Sequence, residues 1–507
     1  MPVQYDTWLR PSLVLGGLTL LVHLCFNTGY GISRDELYFI VCGQRLAWGY
    51  VDQPPLVPML AAWSHALAGD WLVGFRLIPA LALSATVAMT AEFVRVAGGG
   101  RFAQWLAGLC TAVAPLFLAM GMIFTTDTFQ PITWLACAWI LLRLEQSGDQ
   151  RWWLAFGAVV GVSLLSKYLM AFYIVALAIG LLATPLRASL LKPWVYAGAA
   201  LAAVIVLPNI LWQQAHDWPF IELAKAGANG KNIALSPWDY FTQQLILVGP
   251  LAAPVWLSGL WSGLRKPGFA VFRGLSIAYL LLFAVFVVIH GKASYITAIY
   301  PALLAMGAIA IEGWVANAAA RGGALAMIAL SGAVIAPFAL PVMSEEAFIR
   351  YSAALGMSAS STAGENQAQG RLPQVFADMH GWPEMAAKIA KVYWSLPPQD
   401  RARAVFFGNN YGEAAAIDVY GQRLGLPPAV SGHNNYFLWG PQGHDGSVVI
   451  IIGGTPEKYA SLFRSATLAG RIDSPYAMPY ETDQPIYVLR DMKPPLQSYW
   501  PQTKHYQ

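Results

Sequence analysis

Charged residues are scarce in this chain. Lys, Arg, Asp and Glu make up 11% of its 507 residues, and 57% of the residues are hydrophobic, whereas a soluble domain is about 25% charged. This composition excludes an ordinary soluble globular protein and indicates an integral membrane protein. The net charge of +4 is too small to argue for a nucleic-acid partner.

Cysteine is rare as well, and the C-terminal third has none. The four cysteines lie in or beside apolar stretches, at Cys25, Cys42, Cys110 and Cys137. Their spacing matches neither a zinc knuckle nor a disulfide framework, and the chain has neither an internal repeat nor a glycine-rich nucleotide-binding fingerprint. We therefore expect the thiols to pack as small hydrophobic side chains.

Long apolar stretches fill residues 11–343. A helix needs roughly 20 apolar residues to cross a bilayer, and the pattern predicts about eleven transmembrane helices: 11–30, 72–94, 102–122, 128–142, 152–166, 168–183, 194–212, 243–263, 274–290, 295–313 and 323–343. The stretch 152–183 also fits one long tilted helix. Two helices are favoured, because the ammonium of Lys167 is costly in mid-membrane.

Basic residues near the predicted span ends are sorted by side. One side receives Arg10, Arg95, Arg101, Arg143, Arg151, Arg187, Lys192, Arg265, Lys266, Arg273 and Arg321, and the positive-inside rule makes it cytoplasmic. The other side receives 31–71, 123–127, 213–242, 290–294 and everything after 344. We expect these segments to face the periplasm of a bacterium, and the protein to be a multi-pass protein of its cytoplasmic (inner) membrane.

The composition changes after residue 343. Residues 1–343 are predicted as the transmembrane domain, 344–375 as a linker or loop, and 376–507 as a periplasmic α/β domain. Helices are expected at 383–394, 413–424 and 456–465, and strands of a parallel sheet at 404–408, 447–453 and 485–489. The first outer loop, 31–71, is expected to contain amphipathic helices from Asp35 to Trp48 and from Leu56 to Leu67.

Acidic residues at the outer span ends are candidate catalytic groups. Asp35 shares a helix face with Tyr38, and burial tunes such a carboxylate toward a general base. The alternative is a charged helix end balanced by Arg34. Asp127 either caps a helix starting at Thr128, or joins Asp35 in binding a substrate hydroxyl or a divalent cation, since oxygen ligands suit a hard metal.

Three further groups of polar residues lie on the predicted outer side. Asp52 and Gln53 precede a rigid Pro-Pro corner, which either fixes a polar group or is a simple turn. Cations and hydroxyls at two helix ends suit a phosphate, with snorkelling lysines as the alternative; these residues are Lys167, Tyr168, His290, Lys292 and Tyr295.

Several of these motifs together resemble a known family. Asp35-Glu36, the segment Tyr50-Val51-Asp52-Gln53-Pro54-Pro55-Leu56 and Thr125-Thr126-Asp127 resemble the polyprenyl-phosphate-dependent glycosyltransferases of the GT-C fold, over about residues 10–340. The group is glycosyltransferase family 39, the protein-mannosyltransferase-like membrane proteins, with bacterial aminoarabinose and galacturonic acid transferases that modify lipopolysaccharide. The segment 376–441, with Asn409-Asn410-Tyr411-Gly412-Glu413-Ala414 and Ser431-Gly432-His433-Asn434, resembles the tail of many bacterial members.

The resemblance implies roles for individual residues. Asp35 would be the catalytic base and Asp127 the second acid, while Lys167 and Lys292 would contact the donor phosphate. Many relatives have Lys where this chain has Gln53. The remaining substrate-binding residues would be Glu36, Tyr38, Asp52, Gln53, Tyr168, His290 and Tyr295. No cofactor is implied, and a divalent cation on the two acids stays open.

The function expected from the resemblance is inverting glycosyl transfer. A sugar would move from a polyprenyl-phosphate donor to an acceptor hydroxyl of a lipid, glycan or protein at the outer membrane face. The alternative is a polytopic transporter or flippase for a lipid-linked sugar, which would place polar residues near the bilayer midplane. The sequence specifies neither the sugar nor the acceptor.

Overall fold

The computed structural model describes residues 10–227, 233–359 and 367–506. The chain divides into two compact units. The helical unit comprises Met1–Thr28, Ala68–Trp212 and Ile233–Val342, and the mixed unit comprises Gly29–Leu67, Gln213–Asn232 and Met343–Gln507. A unit boundary thus falls where the composition changes, whereas 29–67 groups with the C-terminal region rather than with the helices that surround it in sequence.

The helical unit consists of apolar helices joined by short connections. Its longer helices are Pro11–Phe26, Leu77–Val96, Arg101–Val113, Pro115–Met122, Gln130–Ser147, Trp152–Leu164, Leu169–Leu182, Pro193–Ala215, Pro237–Val248, Ala253–Arg265, Ala270–Val288, Tyr300–Trp314 and Ala318–Ile335. The break between Trp152–Leu164 and Leu169–Leu182 confirms the prediction of two helices on either side of Lys167. This unit makes the chain a multi-pass membrane protein.

Several helices are long and apolar enough to cross a membrane. By length and composition the described residues contain five, or up to eight if each of three bent pairs is one span. Two predicted spans, 102–122 and 243–263, are such bent pairs, with angles of 63° and 99°. Pro115 and Pro250 cause the breaks, since proline forces the preceding residue out of the helical conformation. Each of these two predicted spans is therefore built from two helices joined at a proline.

Close helix packing in this unit depends on small residues. The helices Ala253–Arg265 and Tyr300–Trp314 cross where Gly259 and Gly307 face each other's backbone. A Cβ atom on Gly307 would collide with the carbonyl oxygen of Val255. Backbones that approach this closely gain dispersion contacts, which are the main source of helix association in lipid.

The mixed unit contains a five-stranded sheet within the described residues. Its strands are β1 Ala404–Gly408, β2 Val430–Ser431, β3 Val448–Ile452, β4 Phe463–Ile472 and β5 Gln484–Met492, in the order β2-β1-β3-β5-β4. β1 pairs in parallel with β2 and β3, whereas β5 pairs antiparallel with β3 and β4. The prediction of a parallel sheet is therefore wrong for the β5–β4 half.

The mixed unit also contains helices from the first outer segment and from the C-terminal region. They include Arg34–Gln44, Leu56–Ala68, Pro219–Ala226, Glu345–Ala354, Trp382–Ser395, Tyr411–Tyr420, Asn434–Trp439 and Pro456–Ala460. The two helices expected within 31–71 are present. Part of the expected linker, 344–375, is the helix Glu345–Ala354, and its residues 360–366 lie outside the described residues. Arg34–Gln44 packs along Tyr411–Tyr420, which places the first outer segment beside the sheet.

Candidate active site

The predicted site residues form two groups, one in each unit. The mixed unit holds Asp35, Glu36, Tyr38, Asp52 and Gln53. The helical unit holds Asp127, Lys167, Tyr168, His290, Lys292 and Tyr295. Each group has its own polar partners, and these partners decide which side chains are available for chemistry.

Asp35 and Glu36 have different roles at the start of the helix Arg34–Gln44. Ser33 and Glu36 form a capping box, in which the Glu36 carboxylate accepts the Ser33 N–H at 2.9 Å. Such reciprocal bonds satisfy the helix N-terminus, and Glu36 is fully buried. Asp35 is not needed for the cap, and its side chain is 46% exposed. Of these two acids, Asp35 is therefore the one that is accessible from outside the protein.

The Asp35 carboxylate is held by a tyrosine from the C-terminal region. The hydroxyl of Tyr411 donates to Asp35 Oδ1 at 2.7 Å. Arg34 is only loosely paired with Asp35, at 3.9 Å. Its guanidinium donates instead to the Tyr480 hydroxyl at 2.6 Å and lies 3.6 Å from Asp378. Arg34 therefore shares its charge among several partners, and it balances Asp35 only in part.

Asp52 is held by donors on both carboxylate oxygens. The hydroxyl of Tyr38 donates to Oδ1 at 3.1 Å, and the side-chain amide of Asn434 donates to Oδ2 at 3.3 Å. Burial, together with the charge of Asp52, raises the pKa of Tyr38 well above its usual range, so this phenol stays protonated as a donor. The same hydroxyl accepts the Asn435 N–H at 3.1 Å. The segment around Asp52 is therefore a corner held by several side-chain hydrogen bonds rather than a simple turn.

Gln53 lies beneath this corner. Its side chain is buried, and its backbone carbonyl oxygen accepts the Tyr50 N–H at 3.0 Å. Tyr50 in turn donates its hydroxyl to the Cys42 carbonyl at 2.7 Å. These bonds fix the backbone that presents Asp52.

The sheet explains why Tyr411 and Asn434 reach the acids. Tyr411 follows β1 and Asn434 follows β2, and these strands are parallel neighbours with Gly408 opposite Ser431. Residues that follow adjacent parallel strands meet at one edge of the sheet, where ligands of such sheets commonly bind. The sequence motifs around both residues indicated the C-terminal resemblance, but their contacts with the acids were not predicted.

A buried acid stabilises the start of the helix Tyr411–Tyr420. Glu413 accepts the Asn409 N–H at 2.8 Å, and Asn410 caps the helix by accepting the Glu413 N–H at 2.9 Å. Burial raises the pKa of Glu413 to about 7, despite the bonds from Asn409. Glu413 is therefore a structural group that sets the position of Tyr411.

The helical unit pairs the second predicted acid with a predicted cation. Lys167 Nζ lies 2.6 Å from Asp127 Oδ2, each side chain is about one-fifth exposed, and the ammonium lies 5.1 Å from the centre of the Tyr295 ring. The helix after Asp127 begins at Gln130 and has no side-chain cap. The helix-cap alternative is therefore wrong. Lys167 is thus paired with a carboxylate, and its contact with a phosphate stays a prediction.

The other residues of the helical unit lie at helix ends. Tyr168 donates its hydroxyl to Asn209 Oδ1 at 2.7 Å. His290 is exposed and has a left-handed backbone, with φ of 52°, which ends the helix Ala270–Val288. The carbonyl of Lys292 accepts the Tyr240 hydroxyl at 3.3 Å. The structure thus brings Asp127, Lys167 and Tyr295 together.

Metal ligands are not clustered in the described parts of the chain. Across 10–227, 233–359 and 367–506, no group of three or more His, Cys, Asp and Glu side chains is arranged to hold a metal ion. Lys167 supplies the positive charge next to Asp127. A divalent cation on Asp35 and Asp127 stays a prediction from the sequence.

Comparisons with known proteins agree with the sequence resemblance. The family model described as dolichyl-phosphate-mannose-protein mannosyltransferase matches residues 52–212. The lipid A galacturonosyltransferase RgtD of Rhizobium johnstonii is 24% identical over 261 residues, which are 50% of this chain and 54% of the relative. The chain thus spans about half the length of this curated relative.

Solved structures match over nearly the whole chain. ArnT from Cupriavidus metallidurans, solved with undecaprenyl phosphate, has a TM-score of 0.61 at 15% identity, with 95% of this chain and 98% of that chain covered. The arabinofuranosyltransferase AftD from Mycobacteria has a TM-score of 0.51 at 14% identity, with 96% and 40% covered. The GT-C fold and the resemblance to protein-mannosyltransferase-like glycosyltransferases are thereby confirmed.

Proposed function

We propose that this GT-C-fold protein is an inverting glycosyltransferase that uses a polyprenyl-phosphate sugar at the outer face of the bacterial cytoplasmic membrane. The exposed carboxylate of Asp35 is the observation that carries the proposal, because it lies on a helix whose N-terminus is already capped by Ser33 and Glu36. The relatives support a lipid-linked donor and a cell-envelope acceptor, since one is a lipid A galacturonosyltransferase and another was solved with undecaprenyl phosphate.

Asp35 acts as the general base in this mechanism. Its carboxylate takes the proton of the acceptor hydroxyl, and the acceptor oxygen forms a bond to the anomeric carbon of the sugar. The bond between that carbon and the phosphate oxygen breaks at the same time, and polyprenyl phosphate leaves with the electron pair. Phosphate is a good leaving group, so no strong general acid is required. A single displacement inverts the anomeric centre.

The donor phosphate is assigned to the lysines of the helical unit. Lys167 and Lys292 stabilise the negative charge that the phosphate gains as the bond breaks. The Lys167 ammonium lies 2.6 Å from Asp127 Oδ2, so the donor phosphate shares this cation with the Asp127 carboxylate. Further substrate contacts are assigned to Asp52, Tyr168, His290 and Tyr295. Glu36, Tyr38 and Gln53, also expected from the sequence to contact substrate, are buried and are assigned instead to supporting Asp35 and Asp52.

Mass spectrometry of cell-envelope lipids and glycans tests the proposal in cells with and without the gene. We expect the deletion strain to accumulate a polyprenyl-phosphate sugar and to lack that sugar on one envelope component. The accumulated lipid names the donor, and the missing sugar names the product. Unchanged lipids and glycans in the deletion strain would contradict the proposal.

Purified protein in liposomes separates transfer from transport. The donor lipid from the deletion strain is added with an envelope extract as acceptor. A transferase consumes the donor and releases polyprenyl phosphate, whereas a flippase moves the donor between leaflets and leaves it intact. Movement of intact donor without release of polyprenyl phosphate would favour the transporter.

A further inference from the structure

We propose that Tyr411 and Asn434 are positioning residues, through which the C-terminal region orients the acids of the first outer segment. Tyr411 orients the Asp35 carboxylate, and Asn434, together with Tyr38, orients the Asp52 carboxylate. This inference rests on the proposed function of Asp35. It gives the C-terminal α/β region a direct part in the transfer step.

The contact between Tyr411 and Asp35 restricts the carboxylate. With Oδ1 held at 2.7 Å by the Tyr411 hydroxyl, rotation of the carboxylate is restricted, and we assign Oδ2 as the oxygen that takes the acceptor proton. A hydrogen bond to a charged group is roughly twice as strong as a neutral one. Tyr411 therefore selects one orientation of the base.

Tyr411 is itself held on several sides. Its ring packs 4.6 Å from the Tyr38 ring, and the Arg34 guanidinium lies 5.4 Å from its centre. Its N–H donates to His433 Nδ1 at 3.2 Å. Burial raises the pKa of Tyr411 well above its usual range, so its hydroxyl stays a donor to Asp35. Because these contacts fix the Tyr411 side chain, the edge of the sheet determines where its hydroxyl meets the Asp35 carboxylate.

Asn434 has an unusual backbone for a residue that is not glycine. Its φ is 45°, a left-handed conformation that Asn tolerates better than most residues. The C-terminal tail holds it there, since the Asn434 N–H donates to the His505 carbonyl at 3.2 Å. Strain of this kind clusters at functional sites. The result is an amide 3.3 Å from Asp52 Oδ2.

A matched control exists for the Tyr411 hydroxyl. Tyr459 lies in the same unit, is 6% exposed against 8% for Tyr411, and donates its hydroxyl to the Gly453 carbonyl at 3.0 Å. Tyr459→Phe therefore removes a comparable buried hydrogen bond without affecting either acid. A merely structural role for Tyr411 predicts the same behaviour for the two Phe variants.

The test measures sugar transfer by the full-length protein in liposomes, with donor lipid purified from the deletion strain. We expect Tyr411→Phe to lower kcat by roughly 10- to 100-fold, the value of one hydrogen bond to a charged group, while KM for the donor and the melting temperature stay near those of Tyr459→Phe. Tyr459→Phe should keep the wild-type kcat. A wild-type kcat in Tyr411→Phe, or a melting temperature well below that of the control, would overturn the inference for Tyr411.

A glycine variant tests Asn434 without adding backbone strain. Glycine adopts a φ of 45° readily, so Asn434→Gly relieves the backbone strain while it removes the amide. We expect kcat/KM to fall by roughly 10-fold in a protein at least as stable as the wild type. An unchanged kcat/KM would overturn the role of Asn434. If the wild-type protein itself transfers no sugar, the proposed function has failed, and this outcome differs from all the others.

Discussion

The ion pair between Asp127 and Lys167 leads to opposite expectations for its two partners. If Lys167 binds the donor phosphate, the Asp127 carboxylate competes with that phosphate for the ammonium and also repels it. Lys167→Met removes the binding group, whereas Asp127→Asn removes the competitor. We therefore expect Lys167→Met to weaken the binding of undecaprenyl phosphate and Asp127→Asn to strengthen it.

The geometry sets the size of these effects. The two groups are 2.6 Å apart and each is about one-fifth exposed, so water screens the pair in part. A hydrogen bond to a charged group contributes roughly 1.5–3 kcal/mol, which is about 10- to 150-fold in affinity. With partial screening we expect Lys167→Met to lie near the lower limit, about 10-fold weaker. Asp127→Asn should bind the donor phosphate a few-fold more tightly. It should still transfer sugar more slowly, because stabilising the bound donor without stabilising the transition state raises the barrier.

The assay is titration of undecaprenyl phosphate into detergent-purified protein, followed through the ligand-induced rise in melting temperature. Asp149→Asn is the control, because Asp149 pairs with Arg151 at 3.0 Å in an exposed loop. It should leave the affinity unchanged. Weaker binding in Asp127→Asn, or wild-type binding in Lys167→Met, would refute the assignment of Lys167 to the phosphate.

Three further predictions concern stability and donor binding. The pKa of Glu413 is about 7 in the fold against an ordinary 4.5. Protonated Glu413 therefore adds roughly 3 kcal/mol to the free energy of unfolding below about pH 4.5, and this stabilisation is lost as the pH rises through about 7. The melting temperature should fall over this range in the wild type and less in Glu413→Gln; parallel curves would contradict this. Gly307→Leu should lower the free energy of unfolding by about 1–3 kcal/mol or more, because its side chain meets the Val255 carbonyl. Gly313→Leu is the control: it has open space around it and should melt like the wild type. Lys292→Ala should raise the apparent Kd for undecaprenyl phosphate, and an unchanged Kd would argue against a phosphate contact.

Local features of this fold follow from the sequence. Hydrophobic length predicts the apolar helices, and the cost of a buried ammonium predicts the break at Lys167. Asp35 and Glu36 are adjacent, yet only the spacing from Ser33 to Glu36 matches a capping box, which separates the structural acid from the exposed one. Pro115 and Pro250 also indicate the two bends, but the prediction of spans relied on apolar length and not on these prolines.

Non-local features do not follow from the sequence. The contact between Asp35 and Tyr411 joins residues 376 positions apart, and no periodicity or spacing encodes it. The strand β4 was predicted in part as a helix, because it is mostly exposed and its residues lack the alternation of a buried strand. The Asp127–Lys167 pair could be predicted only in part. Both residues were singled out, but the 2.6 Å contact depends on how the helices pack.

The most direct test of the account is the rate of sugar transfer by Asp35→Asn. The variant keeps the size of the side chain and the helix cap, and removes the base. Asp483→Asn, which changes an exposed carboxylate paired with Arg471, serves as the control. With the donor purified from the deletion strain, we predict a loss of roughly 100- to 10,000-fold in kcat for a protein that melts like the wild type. Turnover near the wild-type rate in Asp35→Asn would contradict the account.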